Sequence, residues 1–198
     1  LRAARRRVMQ EVAGKSVLNL FAYTCGVGIA SAKAGARFVV NVDFADSSIM
    51  IGKENVRLNE LPVRPRFVKC DAFAAMRQYA GLGQPERVRG KLMPPFPKLE
   101  KQAFDLVFLD PPRYAKSAFG VVDLVNDYAS VFKPALLCTS AGGTLICTNN
   151  VADVKRDAWL DQLLPADLYL RTGVAGDSSH LAPQDEARIA TLPGVRRA

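Results

Sequence analysis

Four stretches carry residue types that could do chemistry. Phe21 to Ser31 reads FAYTCGVGIAS, in which Gly26 to Ser31 is one small residue away from the pattern G-x-G-x-x-G. Glycines after a first strand let the backbone approach a ligand closely at a helix N-terminus. Asp43 follows Gly26 by 17 residues in the run NVDF. A carboxylate there can accept hydrogen bonds from both hydroxyls of a ribose. Asp71, in KCDAF, stands where a carboxylate can accept from an adenine amino group. The fourth stretch is Asp110-Pro111-Pro112-Arg113-Tyr114. Two successive prolines fix φ and withhold two amide donors, which makes a stiff loop with outward carbonyls.

These residues need a frame, and short apolar runs alternating with helical stretches supply one: βαβ units on a parallel sheet. The expected strands are 16–21, 37–42, 66–69, 104–109 and 142–148. Helices are expected over 3–12, 28–34 with Gly35 just past its end, 47–58 with Ser47 or Asp46 as N-cap, and 72–79. A long helix is expected over 121–138, tolerating Pro134. In open α/β sheets, ligands bind at the C-terminal ends of the strands, where all four stretches fall. A nicotinamide enzyme and an S-adenosylmethionine enzyme share the glycine loop and the ribose acid. Only the second has use for a D-P-P-R-Y element after the fourth strand.

The chain of 198 residues holds 49% hydrophobic and 23% charged residues, which fits one globular domain over 1–198 and excludes disordered, collagen-like and coiled-coil classes. No apolar run is long enough to span a bilayer, and the expected location is cytoplasmic. Four cysteines without a C-x-x-C pair, and one histidine, suggest neither a zinc site nor a disulfide framework, so no metal is expected. Net charge is +8, which favours a polyanionic partner. Residues 81–102 hold four prolines, three glycines and five basic residues against two acidic ones. They read as an inserted basic surface loop, either a solvated connection or a flap that touches an RNA backbone. The arginines at positions 2, 5, 6 and 7 share one helix and serve either phosphate contact or a partner domain. A possible sixth strand over 168–174, with no further apolar run to close a sheet, suggests a fragment of a longer protein.

Taken in order, the glycine loop, Asp43, Asp71 and DPPRY resemble class I S-adenosylmethionine-dependent methyltransferases. The resemblance is to the bacterial 23S ribosomal RNA base methyltransferases, and it covers residues 15 to about 164. It implies a Rossmann-like α/β fold with a mostly parallel central sheet, helices on both faces, seven strands and a reversed last strand. The implied cofactor is S-adenosyl-L-methionine and the implied partner is RNA, 23S ribosomal RNA in particular. By the same resemblance Phe21, Tyr23 and Gly26 line the methionine end, Asp43 and Phe44 the ribose and adenine, and Asp71 and Ala72 the adenine edge. Asp110, Pro111, Pro112 and Tyr114 lie between the sulfonium and the target base, with Asp110 also beside the cofactor. Ser47 and Asn55 serve either the ligand or their own helix.

Methyl transfer from a sulfonium is an in-line displacement, so the protein has to align and desolvate a nucleophile. Pyrimidine C5 requires a cysteine to add first, whereas guanine N7 presents a lone pair directly. In the cytosine-C5 members of the group that cysteine follows the fifth strand. Alignment on Gly142-Gly143 puts Asn150 in its place and leaves Cys147 inside the strand. Thr148-Asn149-Asn150 resembles the guanine-N7 pattern instead, and Asn149 and Asn150 can either read a base edge or form a turn. Guanine N7 is therefore expected over cytosine C5. A methyltransferase for protein or small molecules and a non-catalytic nucleic-acid-binding domain of the same fold stay open.

Overall fold

The structure is a computed structural model that describes residues 1–152 and 154–163. It divides into two compact units, 1–154 and 155–198. In the second unit the described element is α6 (Arg156–Leu163).

The first unit is built on five strands: β1 (Ser16–Leu20), β2 (Phe38–Asp43), β3 (Arg66–Lys69), β6 (Phe104–Leu109) and β9 (Thr139–Cys147). They form one sheet in the order β3-β2-β1-β6-β9. All four pairings are parallel. The chain walks from β1 to one edge, returns, and continues to the other, so right-handed crossovers place helices on both faces. Every residue of β1 is buried, as expected for the central strand of a covered parallel sheet. This is the α/β architecture expected from the alternating pattern. The 168–174 strand lies outside the described residues.

The crossover helices are α2 (Gly26–Lys33), α3 (Asp46–Leu58) and α4 (Ala72–Tyr79), preceded by α1 (Arg2–Glu11). Val8 and Val12 of α1 share a core with Val27 and Ala32 of α2 and with Val17, Val39, Leu106 and Phe108 of the sheet. On α3 the N-cap is Ala45 without a side-chain bond, and Asp46 is the first helical residue. The expected Ser47 or Asp46 cap is thus corrected. A different carboxylate, Asp43, takes the Ala45 N–H at 3.0 Å.

The expected long helix over 121–138 is also corrected. Residues 114–123 form an antiparallel hairpin of β7 (Tyr114–Ser117) and β8 (Gly120–Asp123), and α5 covers only Ala129–Leu137. Two features stop a helix here. Gly120 has φ +133°, and the Asp123 carboxylate accepts from Val125 N–H and from Asn126 Nδ2 to make a turn. The 81–102 segment carries a short hairpin of β4 (Arg87–Val88) and β5 (Lys91–Leu92).

One close approach fixes how α2 lies on the sheet. Asn19 and Asn41 are neighbours across β1 and β2, and Asn19 Nδ2 donates to Asn41 Oδ1 at 2.8 Å in a buried position. A Cβ at Gly28 would stand 2.0 Å from that same oxygen. Gly28→Ala should therefore destabilise by about 1–3 kcal/mol, the usual cost of overpacking. Asn41→Ala in the same chain should recover part of the loss in a thermal melt.

Candidate active site

Because the strands are parallel and in register, their C-terminal ends are level. Leu20 pairs with Val42 on one side and with Leu109 on the other, and Leu109 pairs with Cys147. The next residues, Phe21, Asp43, Asp110 and Thr148, therefore sit at one height on one edge.

The turn from β1 into α2 is held in an unusual conformation. Phe21, Tyr23 and Cys25 have φ of 54°, 47° and 61°, the left-handed region, without being glycine. Each such residue costs on the order of 1 kcal/mol and survives only where its surroundings enforce it. Asp43 provides part of that enforcement: Oδ2 accepts the Tyr23 N–H at 2.8 Å. Asn55 Nδ2 donates to Thr24 O at 3.1 Å, so Asn55 of α3 holds the loop by its far side. Phe21 is set edge-on to Phe73, with ring centroids 6.2 Å apart. Tyr23 and Phe44 are 69% and 67% exposed, two aromatic rings presented at the strand ends.

The N-terminus of α2 has no side-chain cap, since Cys25 makes none. Its first N–H groups and the positive end of the helix dipole are open to an anion. The Arg5 guanidinium lies against this loop: a Cβ at Gly26 would stand 3.6 Å from Arg5 Nη1.

Asp71 has a structural task. It is the N-cap of α4, with Oδ1 accepting from Phe73 N–H at 2.8 Å and Ala74 N–H at 3.2 Å. Its Oδ2 accepts from Ala118 N–H at 3.1 Å and so ties the β7–β8 turn to α4. Ala72, the first helical residue, is buried.

At the end of β6, Asp110 Oδ1 accepts from Asn150 Nδ2 at 2.7 Å and from the Thr148 hydroxyl. Thr148 N–H in turn donates to Leu109 O at 3.0 Å. The DPPRY loop and the T-N-N segment are therefore one cluster. Asn149 turns away from Asp110: its Oδ1 accepts the Val151 N–H, and its Nδ2 is buried without a partner. Pro111 is buried and Pro112 exposed, while Tyr114 is 52% exposed with the Arg113 guanidinium 5.4 Å from its ring centre.

Residues 1–166 match the family model described as S-adenosylmethionine-dependent methyltransferase. The chain belongs to that family. A ribosomal RNA large subunit methyltransferase I of Photobacterium profundum is 34% identical over 185 residues, covering 89% of this chain and 42% of the relative. A ribosomal RNA large subunit methyltransferase K/L of Psychrobacter arcticus is 31% identical over 166 residues, covering 81% of this chain and 19% of the relative. The chain thus spans less than half the length of these relatives. A solved methyltransferase complexed with SAH gives a TM-score of 0.66 at 26% identity, over 82% of this chain and 38% of that one. A 16S rRNA N2 G1207 methyltransferase of T. thermophilus, at TM-score 0.53 and 20% identity over 81% of this chain and 36% of that one, shares the fold.

The residues present fit the methyltransferase cofactor. The uncapped α2 N-terminus with Arg5 suits a carboxylate, and Phe44 offers an exposed ring to a base. Asp43 spends one acceptor position of each oxygen on a backbone N–H, leaving a lone pair on each for hydroxyl donors. Asp71 is the poorest fit, with three amide bonds already made. Among the described residues no group of three or more metal-ligating side chains occurs, and no helix is long and apolar enough to cross a membrane.

Sequence reasoning missed three contributors. Arg5 was visible only as one of several arginines, and its place over the glycine loop depends on how α1 packs. Thr148 was read as part of a motif and not as the residue that orients Asp110. Tyr128, buried, donates from its hydroxyl to Thr148 O at 2.9 Å, a contact hidden by assigning its region to a long helix.

The surroundings of all four thiols favour the neutral form. Burial pushes Cys25, Cys70, Cys138 and Cys147 each up to about 12, with Asp43 adding to the effect at Cys25 and Asp71 at Cys70. The neighbouring Tyr128 opposes the rise at Cys147 without reversing it. A thiol kept in its neutral form is a poor nucleophile. Iodoacetamide should accordingly label the native protein at pH 8 far more slowly than free cysteine, and labelling should reach normal rates in urea. Mass spectrometry of the alkylated peptides reads both states.

Proposed function

We propose that this protein methylates a base of large-subunit ribosomal RNA, the 23S molecule, with S-adenosylmethionine as donor, and that the target atom is guanine N7 and not cytosine C5. The RNA reading draws on the names of its relatives and on the net charge of +8. The observation that carries the choice of atom is position: a C5 reaction needs a cysteine at the substrate edge, whereas Asn150 stands beside Asp110 there and Cys147 is still inside β9.

When bound, the cofactor supplies a methyl group activated on a sulfonium. The residues of the chain do the rest. Asp43 accepts from the ribose hydroxyls, Phe44 covers the adenine, and Phe21, Tyr23 and Gly26 line the methionine end with Arg5 facing its carboxylate. Ala72 bounds the adenine edge, and Asp71 keeps α4 in place there. On the substrate side Tyr114 stacks on the base, a contact worth roughly 1–3 kcal/mol. Asp110 is an acceptor only, oriented by Thr148 and Asn150, so it suits the N–H groups of a guanine pairing edge and leaves the N7 lone pair unopposed. Pro111 and Pro112 keep that loop stiff, and Asn149 and Asn150 border the base. No residue has to remove a proton before attack by N7.

Asp43→Ala should weaken S-adenosylmethionine binding by about 1.5–3 kcal/mol per lost charge-assisted bond, read by calorimetry. Unchanged affinity in a folded variant would contradict the ribose role. The target atom is tested by nucleoside mass mapping of ribosomal RNA from cells lacking the gene. The expected loss is one 7-methylguanosine, restored by the parent gene and not by a Tyr114→Ala copy. Loss of 5-methylcytidine instead would overturn the N7 assignment.

A further inference from the structure

The 81–102 segment is joined to the active site by packing. Its ends close on each other, with Gln102 N–H donating to Tyr79 O at 3.0 Å. Gln78 of α4 grips its middle twice, donating to Pro97 O at 3.0 Å and accepting from Leu99 N–H at 2.9 Å. Phe96 then stacks on Phe119, centroids 6.2 Å apart and planes 7° from parallel, and the Arg77 guanidinium lies 5.9 Å from the same Phe119 ring. Phe119 is in the turn of the β7–β8 hairpin, whose first residue is Tyr114. The segment is thus docked on the hairpin that carries the proposed base-stacking tyrosine.

Its charge calls for an explanation. Arg87, Arg89, Lys91, Lys98 and Lys101 are all exposed, against Glu86 and Glu100. None of the five forms an ion pair among the described residues. Arg89 and Gly90 have φ of 48° and 79°, the signature of a two-residue turn that favours Asn-Gly. An arginine at the first of these positions costs on the order of 1 kcal/mol more than glycine would. A turn that needed only to reverse the chain would not keep it. The segment itself, with Gln78 of α4, lines a cleft of about 710 Å³, in which Pro94, Pro95 and Phe96 form apolar wall beside Lys98 and Lys101. Cations beside an apolar cleft match the phosphates and unstacked bases of a single strand, whereas a duplex keeps its bases inside.

We propose that residues 81–102 form a basic arm that holds a single-stranded stretch of the substrate RNA by its phosphates, with Arg87, Arg89 and Lys91 as the principal contacts, on its way to the Tyr114 hairpin. This rests on the RNA reading above. The arm acts on RNA affinity and leaves the cofactor site untouched.

The test compares the parent protein with the triple variant Arg87→Gln, Arg89→Gln, Lys91→Gln. The probes are a fluorescein-labelled single-stranded fragment of large-subunit ribosomal RNA and the same strand annealed to its complement. Each phosphate contact to a single strand contributes about 0.7 to the slope of log affinity against log salt, so the triple variant should lose about 2 from that slope. Its affinity at moderate salt should fall tenfold or more, with melting temperature and S-adenosylmethionine affinity as in the parent. Lys98→Gln with Lys101→Gln, farther along the arm, should lower the slope independently and serves if the triple variant melts early. Phe96→Ala keeps every charge but removes the stack on Phe119. It should leave the slope near the parental value while lowering methyl transfer per bound RNA.

A parent that binds and methylates the RNA while both charge variants keep its slope and affinity would overturn the arm alone. Equal losses on the duplex and the single strand would overturn the single-strand assignment. A parent that neither binds nor methylates the RNA would overturn the RNA reading and the arm with it.

Discussion

The site depends on one constraint, the register of a parallel sheet. Phe21, Asp43, Asp110 and Thr148 lie far apart in sequence, and no direct bond joins all four. They meet because β1, β2, β6 and β9 end at one level. At the opposite edge Asp105 ties β6 to the start of β1, at the point where the β6–β9 pairing shifts register. Its carboxylate accepts from both the N–H and the hydroxyl of Ser16, at 2.9 and 2.8 Å, while its own N–H donates to Ser16 Oγ at 3.0 Å. The Ser16 donors hold the Asp105 carboxyl below its usual range, with help from Ser140 and Arg37. A lowered carboxyl adds stability above the unfolded-state value and loses it as pH falls through the folded one. The charge at this edge thus fastens β1 to β6, the two strands whose far ends carry Phe21 and Asp110.

At the working edge, conformational strain and ligand chemistry share the same groups. A left-handed Phe21, Tyr23 and Cys25 would relax in a free peptide, and Asp43 and Asn55 prevent it through Tyr23 N–H and Thr24 O. Asp43 therefore has a structural task beside the ribose contact proposed for it. It builds the loop that it shares the ligand with, which couples loop shape to the carboxylate that the cofactor would address.

What was legible in the sequence follows from which signals are local. The buried strands β1, β2 and β6 read as apolar runs, and the alternation with helical stretches located β3 and β9 between them and after them. Two kinds of feature were not local. Val121, Val122, Leu124 and Val125 fit a helical spacing, and only the Gly120 backbone and the Asp123 turn show a hairpin instead. Asp110 was legible as a site residue, but its orientation by Thr148 and Asn150 requires β6 and β9 to be neighbours, which spacing along the chain does not encode.

Asp71 shows how a residue singled out for one role can have a structural task of its own. A carboxylate at the end of β3 matches an adenine contact by type, yet Oδ1 serves the first turn of α4 and Oδ2 serves the β7–β8 hairpin. In the proposed function the two elements border opposite partners, the cofactor on the α4 side and the base on the Tyr114 side. An adenine amino group bound to Asp71 Oδ2 would share that oxygen with Ala118 N–H, which holds the hairpin turn next to Phe119. Since Phe119 also receives Phe96 and Arg77, one carboxylate sits where α4, the hairpin and the basic segment converge.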